Sequence, residues 1–87
     1  MHETASRLQG GGRLMKIELK LEDDGAPILF FIDGYTTAHD RHIACYAHVG
    51  QHGESTRAYM RQCRKPATVQ EKSRCFSLLM QWLRLPG

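Results

Sequence analysis

Four of the five histidines, His39, His42, His48 and His52, fall within fourteen residues, beside Asp40 and Cys45. These residue types bind zinc, but one ion needs all its ligands at ~2.0–2.3 Å. The stretch between them, Ile43 to Val49, alternates like a strand, and seven strand residues span roughly 20 Å at ~3.3 Å each. His39 or His42 therefore cannot share an ion with His52. Cys45 and His48 project from opposite faces of that strand, which disfavours a Cys–His catalytic pair. The spacing matches no zinc motif, so neither a metal nor another cofactor is expected.

A second candidate is the run Gly50-Gln51-His52-Gly53-Glu54-Ser55-Thr56. A glycine-flanked loop after a strand, leading into a helix with hydroxyls at its start, can hold an anion on backbone N–H groups. Gly50, Gln51, His52, Gly53 and Ser55 are its candidate residues. It departs from a phosphate-binding P-loop, having no lysine before Ser55 and a different glycine spacing. A plain turn that uses glycine for backbone freedom explains it more simply.

The third candidate is basic. Arg57, Arg61, Arg64 and Lys65, continued by Lys72 and Arg74, form a surface suited to phosphate, with Tyr59 interleaved. No helix-turn-helix, RRM or zinc-finger pattern accompanies it. The charge is lopsided: Met15–Gly53 carries three basic residues against six acidic ones, and Glu54–Gly87 seven against two. A solvated basic face is the ordinary outcome of such asymmetry. Enzyme chemistry has less support. Glu22, Asp23 and Asp24 sit together in a turn, no nucleophile–base pair stands out, and no catalytic residue is assigned.

The elements that must position these residues are few. A chain of 87 residues with 41% apolar content makes one domain with a thin core. Association with a second copy is one way to bury more surface. No run approaches the ~20 apolar residues of a membrane span. Cys45, Cys63 and Cys75 have no C-x-x-C spacing and are odd in number, which points to a reducing compartment, the cytoplasm.

Residues 1–14 show no periodicity and contain Gly10-Gly11-Gly12; they read as a disordered leader or as an early-start segment ahead of a natural start at Met15, with the domain running over 15–87. Ile17, Leu19 and Leu21 alternate with charged residues, predicting a half-buried strand whose lysines and glutamates guard an edge. Asp23-Asp24-Gly25-Ala26-Pro27 is a turn. Ile28 to Ile32 is a continuous apolar run, a central strand covered on both faces. Ile43 to Val49 completes an antiparallel meander. Ser55 to Lys65 reads as a basic helix capped by Ser55 and stopped by Pro66, with a fourth strand as the alternative.

Thr68-Val69-Gln70-Glu71 is a capping box opening a helix to about Arg84. That helix is apolar over most of its circumference, through Cys75, Phe76, Leu78, Leu79, Met80, Trp82 and Leu83. One apolar face must pack on the sheet; Trp82, Leu83 and Leu78 are the residues expected to hold a partner. The fold class is thus α+β: a three-stranded, alternatively four-stranded, antiparallel sheet with a C-terminal helix packed on it.

The stretch Ile43–Glu54, with its Tyr46-x-His48-Val49-Gly50-Gln51-His52 core, followed by Arg64–Thr68 and the closing helix, resembles small uncharacterised proteins carried by bacterial plasmids and phages. The resemblance covers Met15 to about Leu85. It implies an accessory role on a mobile element in a bacterial cytoplasm, and a function for the His48–Glu54 loop. The expected function is non-enzymatic: a protein-binding module that self-associates, with non-specific nucleic-acid binding by the basic region 57–74 as the alternative.

Overall fold

Alternation of apolar and polar residues dictates the sheet, and the computed structural model, which describes residues 4–9, 13–37, 39–47 and 52–85, contains it. Strands β1 (Thr4–Gln9), β2 (Arg13–Leu21), β3 (Pro27–Phe31), β4 (His42–Ala47) and β5 (His52–Thr56) lie in sequence order, each antiparallel to its neighbours. Helices α1 (Arg57–Gln62) and α2 (Val69–Leu83) follow. The α+β class and the C-terminal helix on an antiparallel sheet are as expected. Strands β2 to β5 form the four-stranded meander. The segment before residue 15, set aside in the sequence reading, adds β1 and the first two residues of β2.

The period of two sorts the side chains onto two faces. Ile17, Leu19 and Leu21 of β2, Leu29 and Phe31 of β3 and Tyr46 of β4 share one face with Met15. Onto it α2 lays Cys75, Leu78, Leu79 and Trp82, all buried. The other face carries Ile28, Phe30, Ile43 and Cys45, covered by Cys63 with Tyr59 and Met60 of α1. Ile28 to Phe31 is therefore buried on both sides, as a continuous apolar run requires.

The chain passes from one face to the other at β2. Leu21 donates its N–H to Arg64 O at 2.8 Å and accepts from Arg64 N–H at 3.0 Å. Leu21 is thus satisfied on the side away from β3. Pro27, its partner on the β3 side, has no N–H to give, and the pairing loses nothing there. From this crossing the chain enters α2 beneath the opposite face.

This crossing corrects the reading of β2 as an edge strand with a solvated charged face. Lys20 is only 7% exposed. Its Nζ donates to Cys63 O at 3.3 Å and lies 3.8 Å from Glu18 Oε1. A buried ammonium is tolerated because it keeps both a carbonyl and a carboxylate.

The α2 start follows from its capping box. Thr68 Oγ1 accepts from Glu71 N–H at 3.0 Å, and Glu71 Oε1 accepts from Thr68 N–H at 3.1 Å and Ala67 N–H at 3.0 Å. The turn between β2 and β3 is held by Gly25 N–H donating to Glu22 O at 2.9 Å, with Gly25 at φ 84°, a backbone region that favours glycine.

Candidate functional site

Helix α1 is shorter than the periodicity of Ser55–Lys65 predicts. His52–Thr56 pairs with β4, placing Ser55 opposite Ile43 and Gly53 opposite Cys45. Thr56, not Ser55, is the N-cap; its Oγ1 accepts from Tyr59 N–H at 3.0 Å. Both sequence alternatives hold in part, with strand to residue 56 and helix from 57. Cross-strand hydrogen bonds to β4 outweigh the helical preference of the first residues.

The glycine-flanked anion loop is corrected by the same pairing. Gly50 and Gln51, with His48, lie outside the described residues. His52, Gly53 and Ser55 are strand residues, not a loop cradling a ligand. A Cβ at Gly53 would meet nothing within 4 Å, so no close approach demands glycine there. The His52 ring instead borders an aromatic group, 4.9 Å from Tyr46, 5.9 Å from Tyr35 and 6.2 Å from Phe31 between centroids. His39 and His42 are 5.3 Å apart, and His42 Nδ1 lies 2.9 Å from Glu54 Oε1. Among the described residues, no three His, Cys, Asp or Glu side chains gather to hold an ion.

The basic row divides. Arg57 and Arg61 stand one turn apart on α1. Arg64 Nη1 pairs with Glu71 Oε2 at 2.9 Å, so its charge is met by the capping glutamate. Lys65 is exposed beyond it. Lys72 and Arg74 belong to α2, on the opposite face of the sheet, with an Arg74 Nη1 3.9 Å from where a Cβ at Gly25 would lie. One continuous surface through all six residues is therefore not formed. Arg41 takes the place of the missing members. It is held at α1 by its carbonyl, which accepts from Arg57 N–H at 3.1 Å. Arg41, Arg57 and Arg61, with Asp40, Thr56 and Ala58, line a concavity of about 480 Å³. Arg41 stands isolated from the other arginines in sequence, and only strand register could have found it.

The expected association residues also separate. Trp82 and Leu78, each 3% exposed, belong to the core; the Trp82 ring is 4.8 Å from Phe31. Leu83 stays partly exposed, beside Phe76 and Met80, each 47% exposed, and Val69 at 81%. Val69, Phe76, Met80 and Leu83 recur at intervals of seven, four and three residues, one stripe along α2 on the flank of the face that fills the core. Phe76, Met80, Ser73, Ser77 and Arg84 also border a shallow groove of about 330 Å³.

Titration follows the packing. Glu71 is held down to about 2 by the Ala67 and Thr68 N–H groups and then by Arg64. Tyr59 O–H donates to Glu22 Oε1 at 2.8 Å, which pushes the phenol above its ordinary range. Cys45, Cys63 and Cys75 are all buried and none is in a disulfide, and burial first of all raises the Cys45 and Cys63 thiols. Arg64 is committed to Glu71. Among the described residues, no helix is long and apolar enough to cross a membrane. No family model, curated protein or solved structure matches this chain.

Proposed function

We propose that this chain is a non-enzymatic accessory binding protein whose first partner is a second copy of itself, joined along the outer stripe of α2. The observation that carries this reading is the row Val69, Phe76, Met80 and Leu83, left exposed along α2 on the flank of the face that fills the core. Seven-, four- and three-residue spacing is that of a helix–helix seam, and a two-fold axis would pair the stripe with itself. Three buried cysteines outside any disulfide suit a reducing bacterial cytoplasm. The resemblance to plasmid- and phage-borne proteins supports an accessory role.

The expected affinity is weak. The three half-exposed side chains give about 1 kcal/mol each and Val69 about 1.5. Two copies then give about 9 kcal/mol gross, against an association cost of at least ~4 kcal/mol. The remaining ~5 kcal/mol corresponds to a Kd of about 0.2 mM. Sedimentation from about 10 μM to 1 mM should show a monomer–dimer equilibrium, abolished by Phe76→Glu with the fold intact. A strictly monomeric wild-type chain at about 1 mM contradicts the proposal.

A further inference from the structure

The Arg41, Arg57 and Arg61 concavity is a second feature, independent of the α2 stripe. Its three guanidiniums come from two parts of the chain. Strand pairing of His42 with Thr56 and the Arg57 N–H to Arg41 O bond at 3.1 Å fix the loop before β4 against the start of α1. Arg61 lies one turn further along the same side of the helix. About 480 Å³ is within the ~300–1,000 Å³ usual for small-ligand sites.

Three carboxylates of the fold, Glu54, Glu71 and Glu22, have partners other than these arginines. Glu54 is at 2.9 Å from His42, Glu71 at 2.9 Å from Arg64, and Glu22 at 2.8 Å from Tyr59. Asp40 is the exception: it lines the concavity itself and is exposed. Among the described residues, no ion pair reaches Arg41, Arg57 or Arg61. Like charges gathered within a Debye length repel, and an anion with several oxygens relieves that repulsion. Guanidinium forks match phosphate oxygens in pairs, which a lysine cannot do. The Thr56 hydroxyl already accepts from Tyr59 N–H at 3.0 Å, so its own proton remains to donate.

We propose that Arg41, Arg57, Arg61 and Thr56 form a binding site for the phosphoryl group of a sugar phosphate, free or as a unit of a single nucleic-acid strand. Asp40 selects for the sugar. Its carboxylate accepts from a hydroxyl beside the phosphate and repels a bare polyphosphate that brings only negative charge.

The test follows amide and arginine side-chain NMR shifts in the full chain during titration with ribose 5-phosphate, ribose, pyrophosphate and a mixed-sequence octanucleotide. Ribose 5-phosphate should shift Arg41, Arg57, Ala58 and Arg61 saturably and bind at least about tenfold tighter than ribose or pyrophosphate. Arg61→Ala, at an exposed helix position, and Arg41→Lys, which keeps the charge and loses the fork, should each weaken it about tenfold or more. Arg84→Ala, at the C-cap of α2, should leave it unchanged. An octanucleotide that binds about tenfold tighter than ribose 5-phosphate assigns the phosphate to a strand; equal or weaker binding assigns it to the free ester. Absence of saturable shifts at about 10 mM ester, or equal weakening by Arg84→Ala and Arg61→Ala, overturns the site.

Discussion

Replacing Trp82 and Phe76 in turn separates folding from association on a single helix. Trp82 is 3% exposed and meets Phe31 at 4.8 Å; Phe76 is 47% exposed on the flank of α2. Truncating a buried tryptophan to alanine removes its transfer free energy and leaves a cavity, together about 3–5 kcal/mol. For 87 residues the whole stability is about 4–13 kcal/mol at ~0.05–0.15 kcal/mol per residue. Trp82→Ala should therefore remove a large share of it, whereas Phe76→Ala should stay within about 0.5 kcal/mol. With a urea slope of about 1–1.5 kcal/mol per molar, the Trp82→Ala midpoint falls by roughly 2–5 M. The assay is urea unfolding followed by far-UV circular dichroism, because Trp82 is the chain's one tryptophan and its fluorescence goes with it. A concentration of about 1 μM keeps mass action from adding stability. A Trp82→Ala midpoint within about 0.5 M of wild type, or a Phe76→Ala loss of the same size as the Trp82→Ala loss, would refute the division of α2 into a core side and a free side.

Glu71 has a carboxyl held down to about 2, against 4.5 when unperturbed, so its contribution is complete above about pH 5 and is lost as pH falls towards 2. Thermal unfolding between pH 6 and 2 should show that dependence in wild type and much less of it in Glu71→Gln; parallel curves contradict it. Native thiol labelling should be slow at Cys45, Cys63 and Cys75 alike and become fast on unfolding; rapid labelling of Cys63 alone would place it outside the core.

The clearest sequence signals were those completed within a few residues. Thr68 and Glu71 close their capping box inside one turn, so four letters sufficed for the start of α2. Ile28 to Phe31 declared burial on both faces because no residue in the run tolerates water well. The boundary between β5 and α1 was less legible. Whether Ser55 is strand or helix depends on Ile43, twelve positions away, and not on its neighbours. The cluster at Arg41 was hidden for the same reason. The two apolar stripes of α2 were present in the sequence but merged, since composition does not say which stripe a sheet will take. Lys20 misled outright: a lysine alternating with leucines reads as solvent-facing until residues from the far end of the chain cover it.

The crossing at Leu21 and Arg64 also bears on the order in which a newly made chain can fold. The strands can pair locally as they are synthesised, because each neighbours the next in sequence. Neither face is closed at that point. One waits for Tyr59, Met60 and Cys63, and the other for Cys75, Leu78, Leu79 and Trp82, all of which follow every strand. A chain still held in the ribosome therefore carries a paired sheet with both apolar faces open, a state inclined to stick to others of its kind. Arg64 is the point at which that state ends. Once its backbone joins Leu21, the residues after it have only a short distance to travel to reach the remaining open face. Slowing that join would lengthen the exposed interval without altering any contact in the finished fold, so the effect would appear as lost soluble yield and not as a lowered melting point.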